Sequence, residues 1–454
     1  MRSWQVSSER LQNSGVNTPS PAIPIRAYRA SLLRFAADGT AQLDQDGLLM
    51  VDSHGKVAAA GDFALLGSQF AHVPTQHLPG RILAPGFVDL HVHYPQIDVI
   101  GSPADGLLPW LENYTFPEEK RYAAGEYAAQ SATFFIAELL RNGVTTALTF
   151  ATSHVASVNA LFEAANTAGL RIITGKCMMD RNCPEGVRDE TTTSLIDTEA
   201  LIQRWHGQGT RGQLGYAITP RFAPTCSDAQ MRGMGELAAK YPDVWIQSHV
   251  SENADEIAWV RELYPQDASY LSVYDRFGLL REKSIYAHCI HFDEADRALM
   301  KQAGAAAAVC PTSNLFLGSG NFDFAAAQSS GMPHGLASDV GGGTSFSPFK
   351  TMLAAHYVSR STSQSSGIET QAMTLSPQRL WWLHTAGAAQ ALGLEGVVGN
   401  LQPGCDADIL ILNPQATPLL ARRAARAQSL DELLFALIVL GDERVVERAV
   451  LASS

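Results

Sequence analysis

The middle of the chain alternates short apolar runs with segments whose apolar residues recur every three to four positions. The runs GFVDLHV, GVTTALTF, RIITGKCMM, LGYAITP, VWIQSHV, SIYAHC, AAAAVCP and GLASD read as strands bounded by Gly, Pro or polar residues. Most are apolar on both faces, as strands of a covered parallel sheet are. Between them lie amphipathic patterns such as DAQMRGMGELAAKY and DEADRALMKQAG, which carry the helical period. Eight strands, each followed by a helix, describe a (β/α)8 TIM barrel of the α/β class better than an open sheet.

The flanks differ. Residues 1–22 are polar and rich in Ser, Asn and Pro, and read as a flexible arm. Residues 23–84 are short and β-like, with GLLMVDSHGKVAAAGDF reading as a hairpin turned at Ser53-His54-Gly55. From residue 396 to 454 the runs GNLQPGCDADILILN and ERVVERAVLAS are β-like again. The two terminal segments are therefore expected to pair into a small β-sandwich domain beside a distorted barrel over residues 85–395.

Composition narrows the partners. A chain of 454 residues, 46% apolar, suits one large α/β domain with an accessory domain. The net charge of −12 and a pI near 5.5 oppose nucleic acid and anionic membrane as main partners, since both select basic surfaces. The six cysteines show no C-x-x-C spacing, which suits a reducing compartment. The N-terminus has no apolar core of signal-peptide length, and the longest strongly apolar stretch, LLFALIVL, is far too short to span a bilayer. The chain reads as cytoplasmic, with a small-molecule substrate and neither a nucleic acid nor a membrane partner.

Candidate chemistry starts at GFVDLHVHYPQ. His91 and His93 are one residue apart on a strand, so their imidazoles share a face. Such a pair suits a borderline metal such as zinc, and is equally compatible with two satisfied core histidines. Barrel active sites gather at the C-terminal ends of the strands. The polar residues ending the strands are His91 and His93 on the first, His249 on the fifth, His288 on the sixth and Asp339 on the eighth. Five donors aimed at one mouth favour a metal. His154, His291, His334, His356 and His384 fall elsewhere and read as structural or surface residues. Glu252 follows His249 by three residues, placed to hold a water or shuttle a proton. It could equally serve as an N-terminal helix charge, because SENADEIAWV resembles a capped helix start at Ser251.

His91-x-His93, His249, His288 and Asp339 with Glu252 resemble the amidohydrolase superfamily in its mononuclear zinc deaminase branch. The stretches GFVDLHVHYPQ, LLPWLENYTFPEEKRYA, TPRFAPTCS, QSHVSENADEIAWVRELYP and CPTSNLFLGSG…ASDVGGG resemble its guanine-acting members. The likeness runs from Ile25 to Ser453, with GNLQPGCDADI matching the return to the β domain. The H-x-H pair is widely shared; Tyr-Thr-Phe-Pro, Pro-Arg-Phe and Ser-Asp-Val-Gly-Gly-Gly are narrower.

The resemblance implies one Zn²⁺ per subunit on His91, His93, His249, His288 and Asp339, and hydrolytic deamination of guanine to xanthine and ammonia. It also implies a homodimer, although no segment identifies an interface. Asp339 would take the proton of the attacking water, and Glu252 would protonate the ring nitrogen beside C2. His288 would complete the metal site or orient the water. Gln96 would read a purine edge, Arg221 a purine carbonyl, and Phe222 would stack on the ring or meet its edge. Without the resemblance these three are an ordinary loop glutamine, a structural ion-pair partner and a core phenylalanine. Trp110 and the ENYTFPEE loop would cover the site. Two-metal sites of this architecture bridge their ions with a lysine on the fourth strand. The only strand lysine here is Lys176, on the third, which favours one metal and leaves Lys176 a structural ion pair.

The competing enzyme is a sister deaminase or chlorohydrolase acting on 8-oxoguanine, cytosine, adenosine derivatives or triazines, from which only Gln96, Arg221 and Phe222 discriminate. Cytidine-type zinc deamination is opposed by the lack of a P-C-x-x-C partner for an H-x-E. A non-enzymatic barrel scaffold would be marked by lost metal ligands, and all five are present. G-x-S-x-G and G-x-x-x-x-G-K are absent.

Overall fold

A computed structural model describes residues 24–453 apart from 104, 362, 363, 366, 367, 370 and 371. The expected arm over 1–22 lies outside the described residues. Eight parallel strands follow one another around the barrel: Phe87–His93, Val144–Phe150, Arg171–Gly175, Leu214–Pro220, Trp245–Val250, Ser284–His288, Ala306–Val309 and His334–Leu336. All of their residues except His249 are buried, which is why the sequence reads as unbroken apolar runs rather than alternation. Amphipathic helices such as Asp228–Lys240, capped by Ser227, and Glu294–Ala303, capped by Asp293, cover the outside.

The ring closes between the first and eighth strands. Asp339 N donates to His91 O at 2.8 Å, and His93 N donates to Val340 O at 2.7 Å. The buried Asp89 carboxylate reinforces the seam, accepting from Ser338 N at 3.0 Å and from His91 N at 3.2 Å. Small side chains fill the lumen, among them Ala217, Ala287, Ala306 and Ala308 with Leu90 and Ile173. The helix Ala386–Ala391 closes the floor. His384, just before it, clasps the first strand: its Nδ1–H donates to Val88 O at 3.0 Å, while its carbonyl accepts from Val88 N at 2.9 Å.

The terminal segments build one six-stranded sheet. Pro24–Phe35 pairs antiparallel with Ala41–Asp52 and parallel with Thr75–Pro85, which pairs antiparallel with Ile409–Leu412; Val57–Asp62 and Val446–Val450 form the edges. The expected hairpin turns at Ser53–Gly55, where Gly55 takes φ +74° and Asp52 Oδ1 accepts from His54 N and Lys56 N. Two helices, Pro418–Ala424 and Leu430–Leu440, interrupt the β-like C-terminal segment. LLFALIVL lies in the second, packed against the barrel helices Pro348–Arg360 and Pro377–Leu383. Among the described residues no helix is long and apolar enough to cross a membrane.

Candidate active site

The first strand breaks its own alternation to aim its histidines. Val88 and Leu90 pack in the lumen, whereas Val92 packs in the outer core. A register shift against the second strand between Asp89 and Val92 makes the change of face, and such an irregularity re-aims side chains. His91 Nε2 and His93 Nε2 end 3.1 Å apart, and His249 Nε2 stands 3.3 Å from His93 Nε2. Asp339 Oδ1 lies 3.2 Å from His91 Nε2 and 3.3 Å from His93 Nε2. His288 Nε2 is further out, 3.9 Å from Asp339 Oδ2. His288 and Asp339 sit at φ +73° and +50°, a left-handed backbone that non-glycine residues hold only where their surroundings impose it.

Hydrogen bonds fix which nitrogen of each ring faces the centre. His249 Nδ1–H donates to Arg221 O at 2.6 Å, leaving Nε2 unprotonated toward the cluster. His288 Nδ1 pairs with Asn314 Oδ1 at 2.9 Å and frees its Nε2 in the same way. Burial lowers the pKa of His91, takes that of His93 down to about 3, and, with the facing imidazoles, holds His249 well below the ordinary range. Burial alone would raise Asp339, but His91, His93 and His288 around it pull the carboxyl well below the usual value. Neutral imidazoles and a carboxylate thus point lone pairs at one centre. Only a cation there satisfies them together. Donors about 2.0–2.1 Å from a tetrahedral zinc stand roughly 3.3 Å apart, which the spacings match. Cys310 borders the cluster, but its thiol donates to Ala308 O at 3.4 Å and burial raises its pKa well above the usual value.

Glu252 is brought beside this cluster, with Oε2 3.3 Å from His288 Nε2 and Oε1 accepting from Ser319 Oγ at 3.1 Å. Burial, and then the charge of Asp339, pushes its pKa up to about 8. The helix behind it does not start at Ser251. It spans Ala254–Leu263 and is capped by Asn253, whose capping-box partner is Glu256. Ser251 instead takes φ +50°, so Glu252 stands outside the helix and faces the cavity. Glu256 lines the same cavity, accepting from Glu252 N at 3.0 Å and from Tyr270 OH at 2.8 Å.

Gln96, Arg221 and Phe222 line this cavity with His93, His249, His288 and Asp339. Gln96 lies in the 3₁₀ turn Tyr94–Val99 and is buried. Its Oε1 accepts from Gly341 N at 3.2 Å; a Cβ on Gly341 would stand 2.4 Å from Gln96 O, so only glycine allows that approach. Arg221 follows the fourth strand and is buried against Glu119, which sequence reasoning did not single out. Glu119 belongs to the short helix Phe116–Arg121, within the ENYTFPEE stretch expected to cover the site. Upstream of it Leu107, Trp110 and Leu111 line the cavity as its apolar roof. Asn314, Ser319 and Glu256 were likewise not foreseen. Of these, Glu256 alone had a signal, the Asn-x-x-Glu capping spacing after the fifth strand. Lys176 stays out of the site, paired with Asp189 at 2.5 Å between the third strand and Cys177–Met178.

The fold and this cluster define a barrel hydrolase with a candidate metal centre. The chain belongs to the amidohydrolase family, whose family profile matches residues 82–448. It is 42% identical over 420 residues to the guanine deaminase of Escherichia coli (strain K12), covering 92% of this chain and 91% of that protein. The solved guanine deaminase of C. acetobutylicum, with guanine bound in its active site, superposes with a TM-score of 0.86 at 33% identity, over 94% of this chain and 98% of that one. An adenosine deaminase from Xanthomonas campestris, with bound zinc, shares the fold at a TM-score of 0.80 and 23% identity, over 96% of this chain and 93% of that one.

Proposed function

We propose that this chain hydrolyses guanine to xanthine and ammonia in the cytoplasm, as a homodimer with one zinc ion per subunit. The observation that carries the reading is the joining, in one buried cavity, of a cation-seeking donor set to the Gln96–Glu119–Arg221 network. The 42% identity to an enzyme of that activity supports the substrate, and six free cysteines suit a reducing compartment.

His91, His93, His249, His288 and Asp339 would hold the zinc; the neutral imidazoles suit it, and the zinc-bearing adenosine deaminase of the same fold supports that choice. A zinc ion there supplies Lewis acidity that lowers the pKa of a water from about 15.7 to about 7. Asp339 takes the proton of the attacking water. Glu252, protonated at neutral pH by its burial, gives its proton to the ring nitrogen beside C2. It then takes the hydroxyl proton of the tetrahedral adduct and passes it to the amine leaving as ammonia, after which the proton held by Asp339 restores the Glu252 acid. The Nε2 of His288 stands between the two carboxyls, where it completes the metal site or orients the water.

Recognition falls to the other wall. Arg221 gives Nη1 to Glu119, leaving Nη2 for the carbonyl oxygen of guanine. Gln96 gives one amide hydrogen to Glu119 and keeps the second for a ring nitrogen. Phe222 offers its ring to the purine, and Leu107, Trp110 and Leu111 exclude water above it. Glu119 touches no substrate in this reading and acts as a positioning residue. Chelation tests the metal: turnover of guanine should vanish in the stripped protein and return on titration with one zinc per chain. Full turnover without metal would refute it.

A further inference from the structure

At the opposite end of the barrel from the metal cluster, a cavity of about 380 Å³ opens between the helix Phe324–Ser330, the start of the eighth strand, and the helices Pro377–Leu383 and Ala386–Ala391. Its walls mix the apolar side chains of Ala327, Met332, Trp382 and Ala391 with the polar groups Gln328, His334, Arg379 and Gln390. That is the size of a small-molecule site. No carboxylate lines it, although the chain carries a net charge of −12.

Arg379 is the group without an explanation. Its guanidinium carbon lies 3.9 Å from the centre of the Trp382 ring, which fixes the plane of the fork. Its Nε is buried without a hydrogen-bond partner, as is the Nε of six other arginines. Burial lowers its pKa, and no opposing charge offsets that loss. Of the other buried or half-buried arginines, Arg171 and Arg211 pair with Asp406 and Arg221 with Glu119, whereas Arg281 meets only the backbone carbonyls of Pro242, Val244 and Glu282. Leaving a half-buried cation unpaired is costly unless a partner arrives from outside. Beside it His334 is held neutral, its pKa pushed down to about 4 by burial, with Nδ1–H donating to Met332 O at 2.9 Å. The charged groups at the rim are one cation and two carboxylates. Lys301 donates to Ser330 O at 2.9 Å, Glu282 packs by Gly304, and Glu395 lies 3.5 Å from Gln390 Nε2.

We infer that this cavity binds a small oxyanion-bearing molecule, whose carboxylate or phosphate pairs with the Arg379 fork while its body packs against Met332 and Ala391. A guanidinium fixed on an indole presents its N–H edge for two parallel hydrogen bonds. The site joins two elements that reach the metal cluster. The eighth strand leads from His334 toward Asp339, and the helix bearing Arg379 and Trp382 runs into His384, which holds Val88.

The test follows thermal unfolding of the zinc-loaded full chain against benzoate and against inorganic phosphate, at constant ionic strength, for the wild type and Arg379→Gln. The wild type should show a saturable rise of a few degrees, as ligand linkage requires, and the variant none. A response to benzoate alone assigns a carboxylate ligand, to phosphate alone a phosphate ester, and to both a general oxyanion site. Ala391→Phe, which fills the cavity with Arg379 intact, should abolish the same response and decides the matter if Arg379→Gln does not fold. No rise in the wild type, or an equal rise in the variants, overturns the assignment. Because the readout is stability, failure here leaves the proposed deamination untouched.

Discussion

Both short hydrogen bonds to the Glu119 carboxylate come from a single nitrogen of Arg221, Nη1, at 2.8 and 2.7 Å, and both side chains are buried. Gln96 Nε2 donates to the same carboxylate at 3.2 Å, and Phe116 from the same helix lies under the guanidinium, 5.0 Å from its carbon. The two residues proposed to read the purine therefore share one anchor, and that anchor sits on the segment that roofs the cavity.

Replacing Glu119 by Gln keeps the shape and removes the charge. A charge-assisted hydrogen bond contributes about 1.5–3 kcal/mol, so kcat/KM for guanine should fall roughly 10- to 100-fold. A positioning role places that loss mainly in KM, with zinc content unchanged. Steady-state kinetics with metal analysis checks it, and a KM equal to wild type would assign Glu119 to the fold alone.

Glu252→Gln removes a proton donor but leaves the zinc donors in place. Zinc should remain stoichiometric while turnover drops by about 10²- to 10⁴-fold, the usual size of a general acid–base contribution. A variant that turns over guanine at the wild-type rate would remove Glu252 from proton transfer.

Zinc affinity should change little between pH 8 and pH 6. His91, His93 and His249 have lowered pKa values, so they stay neutral well below the ordinary imidazole range, and Asp339 stays ionised because its own value is lowered. Protons therefore begin to compete with the metal only at lower pH. Competition with a chromophoric chelator measures this; a steep fall in affinity beginning near the pKa of a free imidazole would show that the donors are not prepared in advance.

The eight strands were legible because covered parallel strands leave uninterrupted apolar runs, and the donors because barrel geometry sends every strand end to one mouth. Glu119 was hidden by its setting. In FPEEKR a carboxylate looks solvated, and only the packing of that helix on Arg221 buries it. The helix start was misplaced because Ser251 and Asn253 both cap well; the spacing to Glu256 favoured Asn253, and the left-handed backbone at Ser251 excludes it from the helix. The register shift before Val92 and the positive φ of His288 and Asp339 leave no mark in composition or period, since tertiary contacts impose them.

The central claim is tested most directly by ammonia release from the zinc-loaded protein given guanine, with 8-oxoguanine, cytosine and adenine in parallel. The account predicts rapid release from guanine, with xanthine as the co-product, and far slower release from the other bases. Silence on guanine with turnover of another base would contradict the assignment of Gln96, Arg221 and Phe222, and silence on all four with zinc bound would contradict nucleobase deamination itself.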